Sequence, residues 1–184
     1  LLDDFLAGLS HLGCTIFAIS GNHDSPERIA YGGRLLRHSG VHMSPVYGGS
    51  ISPITLEDDL GPVDFYLLPF LKPAYLRSVM PETEIHSCQE AVEKALEGLP
   101  VDPRRRNVLV AHQFVAGAQV LEQEELLIGG SDGVDAALFR DFDYVALGHL
   151  HGPQSVGRDT LRYCGTPLKY SFAEASHHKS VTLV

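Results

Sequence analysis

Apolar positions recur along this chain in two periods, and the changes of period mark out its elements. Leu2, Phe5, Leu6, Leu9 and Leu12 fall three or four apart, the spacing of one helical face, and Gly13 follows as a terminator. Residues 15–19 form a β-branched, aromatic and nearly all apolar run, which predicts a short buried strand. Ser25-Pro26-Glu27 then opens a helix with a capping hydroxyl, a proline at the first position and an acid in the first turn. That helix is expected to run to about His38 and end near Gly40, with Gly32-Gly33 marking close packing or a break. Residues 41–47, 51–56 and 63–68 read as strands, parted by Gly48-Gly49 and Gly61-Pro62.

Past the turn marked by Pro69 and Pro73, a short helix is expected to about Met80. Ser87-x-x-Glu90 is a capping box that opens a helix to about Gly98. Residues 107–111 predict a buried strand that delivers His112 at its end. The stretch 113–133 is loop-rich, with an acidic patch at Glu122, Glu124 and Glu125. A short helix at 135–139 and a strand at 144–147 come next, and the strand leads into Gly148-His149-Leu150-His151. Residues 155–156 and 161–164 flank Gly157-Arg158-Asp159-Thr160 as a hairpin, and 180–184 is expected to close the chain as a strand. Alternating strands and helices with a strand-rich tail predict an α/β domain built on a mixed sheet or two packed sheets.

Composition narrows the class. At 184 residues, with 44% hydrophobic and 20% charged content, the chain suits one globular domain, and no apolar run is long enough to span a bilayer. A net charge of -9 argues against a free-standing, charge-driven nucleic-acid binder. It leaves room for a phosphate-handling enzyme whose divalent ions reset the local field. Cys14, Cys88 and Cys164 are far apart and form no C-x-x-C pair, so they read as reduced thiols of a cytosolic protein, two of them buried beside strands. The start at Leu1-Leu2-Asp3, already inside a helix and without methionine, is what a piece of a longer protein is expected to show.

Three apolar strands end abruptly in imidazole: at Asn22-His23-Asp24, at His112-Gln113 and at His149-Leu150-His151. The carboxyl ends of strands are the usual place for ligand chemistry in α/β proteins. His149 and His151 stand two apart, so in extended backbone both point to one side. Imidazoles converging in this way share a metal or stay neutral in a polar network. Imidazole with amide oxygen and no paired thiolates favours manganese, iron or zinc over calcium, and open positions suit hydrolysis. Asp24 reads equally well as a carboxylate favouring a helix N-terminus, and Gln113 as a polar strand end. His177-His178 beside Lys179 reads as a solvated turn.

Gly21-Asn22-His23-Asp24, the single His112 and Gly148-His149-x-His151 resemble the later motifs of the calcineurin-like metallophosphoesterases. Two further stretches, 21–28 and 162–172, together with 144–149, are similar to the D-subunit family of bacterial SbcCD nucleases, and the likeness spans 1–184. The resemblance implies two packed mixed β-sheets flanked by helices (α/β/β/α), incomplete at the N-terminus. It implies that Asn22, His112 and His149 bind one metal and His151 the other, in a site for two divalent ions, most readily manganese. His23 becomes the catalytic imidazole at the scissile phosphate, and Arg28 and Lys169 candidate substrate contacts, with the 104–106 arginines a further basic loop. The implied activity is metal-dependent DNA cleavage, exonuclease and hairpin endonuclease, with an SbcC-type SMC-like ATPase partner, as a heterotetramer or homodimer, in recombination, replication and repair.

One departure is large. The family's early motifs, D-x-H and G-D-x-x-D, supply most ligands of the first metal, and neither occurs here. The chain by itself is therefore expected to be inactive or nearly so. Two other functions stay in view: a phosphomonoesterase or cyclic-nucleotide phosphodiesterase on the same scaffold, and a non-catalytic partner-binding module.

Overall fold

The computed structural model describes residues 2–120 and 133–184. The acidic patch at Glu122, Glu124 and Glu125 lies outside the described residues. Helix α1 (Leu2–His11) leads to strand β1 (Ile16–Ala18), which pairs in parallel with β2 (Val41–Met43). Between them the expected single helix is broken into α2 (Pro26–Ala30) and α3 (Gly33–Leu36), followed by a 3-10 turn at Arg37–Ser39. Gly32 sits in the left-handed region at φ 73°, which ends one helix and begins the next. Of the two readings of the glycine pair, the break is the right one.

Six further strands make one mixed sheet among the described residues: β3 (Ile54–Asp58), β4 (Gly61–Leu68), β5 (Arg106–His112), β6 (Tyr144–Gly148), β7 (Gln154–Val156) and β8 (Arg158–Tyr163). Their order is β3-β4-β5-β6-β8-β7, and β4, β5, β6 and β8 run parallel. Helices α4 (Pro73–Val79) and α5 (Cys88–Glu97) supply the crossover from β4 to β5. The cap holds, with the return bond shifted by one residue: Ser87 Oγ accepts from Glu90 N–H, while Glu90 Oε2 accepts from the N–H of His86, just before the cap.

Alternation along the strands decides where the core sits. Tyr66 and Leu68, Leu109 and Ala111, Val145 and Leu147, and Leu161 and Tyr163 all point to one face and are buried. There they join Leu76 of α4 and Ala91, Val92 and Ala95 of α5 in one cluster. The alternate residues Val108, Val110 and Ala146 face the other way and are only half-buried. On that second face the β1–β2 pair is attached through Phe17, whose ring stacks on Phe65 of β4 at 4.5 Å and 19°.

Several expectations need correction. Strand β1 is half-buried, because its pair is a two-stranded edge. Residues 44–47 and 180–184 are not strand. The hairpin turns at Gly157 alone (φ 72°), so Arg158, Asp159 and Thr160 belong to β8. Only Cys88 is buried, on a helix; Cys14 and Cys164 are exposed. The apolar stripe of α1 is only partly covered: Leu6 and Leu9 are half-buried, while Leu2, Phe5 and, just past the helix, Leu12 are exposed. No described helix is long and apolar enough to cross a membrane.

Candidate metal centre

The carboxyl ends of the parallel strands gather at one edge of the sheet and bring the sequence candidates together. His112 ends β5, and Gly148, paired beside it in register, ends β6. Backbone crowding at this spot is severe. A methyl group added at Gly21 or at Gly148 would lie 2.7 Å from the His112 ring, so both positions admit only glycine without a shift. Gly21 belongs to the loop after β1, which is tied to the large sheet where Phe70 N–H donates to Ser20 O at 2.9 Å.

That loop sets Asn22 and His23. Asp24 Oδ2 accepts from Gly21 N–H at 2.7 Å and closes the turn, so its carboxylate is engaged in local structure. Ser25, with its Oγ accepting from Arg28 N–H, caps α2, which leaves His23 without a capping role. Asn22 Oδ1 lies 2.9 Å from His112 Nε2. The His112 and His149 rings meet edge to face at 5.3 Å. Phe70 lies parallel to His149 at 6.3 Å and edge-on to His112 at 6.1 Å, forming a wall the sequence did not reveal. His149 is the one non-glycine described residue with positive φ, at 104°. Residues in such sparsely populated backbone regions cluster at functional sites.

Asn22, His23, His112, His149 and His151 line one cleft of about 270 Å³ with Gly165, Thr166 and Pro167. Arg28 and Lys169 do not line it; Lys169 Nζ donates to Ala175 O in its own loop. The three arginines are elsewhere too. Arg104, Arg105 and Arg106 pair with Asp102, Asp64 and Asp58 at the far end of β5 from His112. Gln113 is buried and donates to Leu71 O, a structural role.

Burial, and after it the neighbouring His149, push the His112 pKa down to about 4, with Asp24 acting in the opposite sense. A neutral imidazole beside an amide oxygen suits a divalent cation, so the donor chemistry of Asn22, His112 and His149 fits one. The expectation of two ions asks for more than is here. Among the described residues, no three His, Cys, Asp or Glu side chains are arranged to hold a metal.

His151 has a partner that the sequence did not reveal. Its Nδ1 lies 2.9 Å from Glu174 Oε1, and Lys179 Nζ donates to Glu174 Oε2 at 2.7 Å. Burial acts to raise the Glu174 pKa, but the hydrogen bonds from Lys179 and His151 outweigh it and bring it to about 2. The only sequence signal is position: Glu174 and Lys179 follow directly on the family-like stretch 162–172. Lys179 is a part-buried anchor here rather than part of a solvated turn.

No protein-family model matches the chain. Its sequence is 33% identical over 183 residues to a protein of Staphylococcus epidermidis, across 97% of this chain and 48% of that protein. That relative is the D subunit of the nuclease SbcCD. The likeness covers both the cleft and the tail that holds His151, and it agrees with the resemblance read from the motifs. The chain spans about half the length of this SbcCD nuclease component.

Proposed function

We propose that this chain is the cleft-bearing part of a divalent-metal-dependent phosphodiester hydrolase: a DNA nuclease subunit acting with an SMC-like ATPase of the SbcC type. The reading rests on one observation above all. Five side chains from three separate strand ends line a single cleft, in a chain similar throughout to an SbcCD nuclease component. In this reading residues 1–184 are one metallophosphoesterase domain of a cytoplasmic protein. The large sheet and the β1–β2 pair are the inner layers of its α/β/β/α sandwich.

Asn22, His112 and His149 would hold one ion, manganese being the first choice, and His151 would face a second whose further ligands are not among the described residues. Bound there, such ions activate water and polarise the phosphodiester. His23, exposed at the mouth of the cleft, holds a ring N–H for the leaving oxygen. Phe70 and the close-packed glycines fix the two neighbouring imidazoles, so that little reorganisation is needed when substrate enters.

The test uses the intact protein with its ATPase partner and Mn²⁺, on a hairpin DNA and on a small phosphomonoester. Cleavage of the hairpin, lost about 100-fold or more in His23→Ala, is the expected result. Turnover of the small ester alone favours the phosphomonoesterase reading. No cleavage of either favours a partner-binding module, for which the missing carboxylate ligands speak. The 184-residue chain by itself is expected to show no measurable Mn²⁺-dependent hydrolysis, and robust turnover by it overturns the half-site reading.

A further inference from the structure

Glu174 is the most deeply buried acid among the described residues, at 1% exposure. Burying a charge is costly unless it is paired and fully hydrogen-bonded. Both requirements are met. Oε1 faces His151 Nδ1 at 2.9 Å and Ser171 Oγ at 3.4 Å; Oε2 receives Lys179 Nζ at 2.7 Å; and the Tyr170 backbone contributes a further hydrogen bond. Lys179 does more than neutralise. It also donates to His151 O at 2.9 Å and to Thr166 Oγ1 at 2.8 Å, while Thr166 N–H donates to His151 O. Gly165 is pressed against the same carbonyl: a methyl group there would lie 2.7 Å from His151 O. The segment 165–179 thus grips both the ring and the backbone of one cleft histidine.

A clamp meant only to fix the tail could have used any surface of the loop. This one ends on a ring nitrogen. An imidazole whose Nδ1–H is given to a carboxylate is locked in one tautomer and leaves Nε2 as its lone-pair donor, which is how metal-bound histidines are oriented. The geometry points to Glu174, neutralised by Lys179, as the positioning residue that fixes His151 in its Nδ1–H tautomer so that Nε2 serves as the ligand in the cleft. This rests on the metal reading of the cleft given above.

The test uses the intact protein with ¹⁵N-labelled histidine. Ring-nitrogen shifts of His151 are read without metal, and Mn²⁺ affinity is read by electron paramagnetic resonance. In the unaltered protein, His151 is expected as the single Nδ1–H tautomer. Glu174→Ala is expected to give a mixture of tautomers and to weaken Mn²⁺ binding by about 10–100-fold. Glu174→Gln, whose amide oxygen still accepts from Nδ1–H, keeps the tautomer but loses about tenfold in affinity. If Glu174→Ala fails to fold, the Gln variant carries the test. Unchanged affinity in the variant that folds, with the unaltered protein binding Mn²⁺, overturns the Glu174 assignment alone. Absence of Mn²⁺ binding by the unaltered protein overturns the metal reading, and the ligand role of His151 with it.

Discussion

His149 carries a conflict between backbone and side chain. Its φ of 104° suits glycine, yet the position holds an imidazole wedged between Phe70 and His112. His149→Gly should therefore be more stable than His149→Ala by about 1 kcal/mol, since both lose the ring and only glycine relieves the backbone. Equal urea midpoints for the two would show that the conformation costs nothing. Tyr163 does a different job a few residues from the cleft. Its buried Oη donates to Gln113 O at 2.7 Å and accepts from Val115 N–H at 2.8 Å, pinning the chain just after His112. Tyr163→Phe leaves both backbone groups buried without that partner. It should cost about 1–3 kcal/mol in denaturant unfolding, a loss too large for the removal of a surface hydroxyl.

At the scale of elements, the strands behave as rails that bring the candidate residues to one end and paired charge to the other. At the far end of β5, Arg106 clasps Asp58 of β3 through two hydrogen bonds at 2.6 and 2.8 Å and so ties the β3–β4 hairpin to the sheet. Those bonds, foremost among the causes, bring the Asp58 pKa from 3.8 to about 2. A carboxylate whose pKa is lower in the folded state stabilises it above the unfolded value and loses that contribution as pH falls through the folded one. The difference in urea midpoint between the unaltered protein and Asp58→Asn should be steady above pH 3.8 and vanish by about pH 2. For an exposed pair it will be small. A difference that persists at pH 2 would mean the asparagine acts through something other than lost charge. The helix after the Asn22 loop teaches the complementary point. Capping signals placed its start correctly, but a left-handed glycine ended it little more than one turn later.

Across the whole molecule, one face of the six-stranded sheet packs against α4 and α5, while the other carries the β1–β2 pair through Phe17 and meets the 180–184 segment where Arg162 donates to Thr182 Oγ1. The cleft opens at the sheet edge between these two bodies, where Asn22 and His23 come from the small one and His112, His149 and His151 from the large one. Its shape therefore depends on their mutual placement as much as on either sheet. The Phe17–Phe65 stack and the Phe70–Ser20 hydrogen bond hold that placement.

The sequence alone was enough to find the strands that end in imidazole, the caps that start α2 and α5, and the candidates Asn22, His23, His112, His149 and His151. These are local signals, carried by residue type and spacing within a few positions. Tertiary structure decided what no local signal encodes. It broke the helix at Gly32, kept residues 180–184 from forming a strand, and sent Arg28, Lys169 and the 104–106 arginines away from the cleft. It also made Glu174 the partner of His151, 23 residues away in the chain. That last pairing depends on the path of a loop and on a lysine that makes a buried carboxylate tolerable, and neither can be read from spacing. The strand-end loop around Asn22 and His23 could be recognised from its own residues; what it faces was settled only by folding.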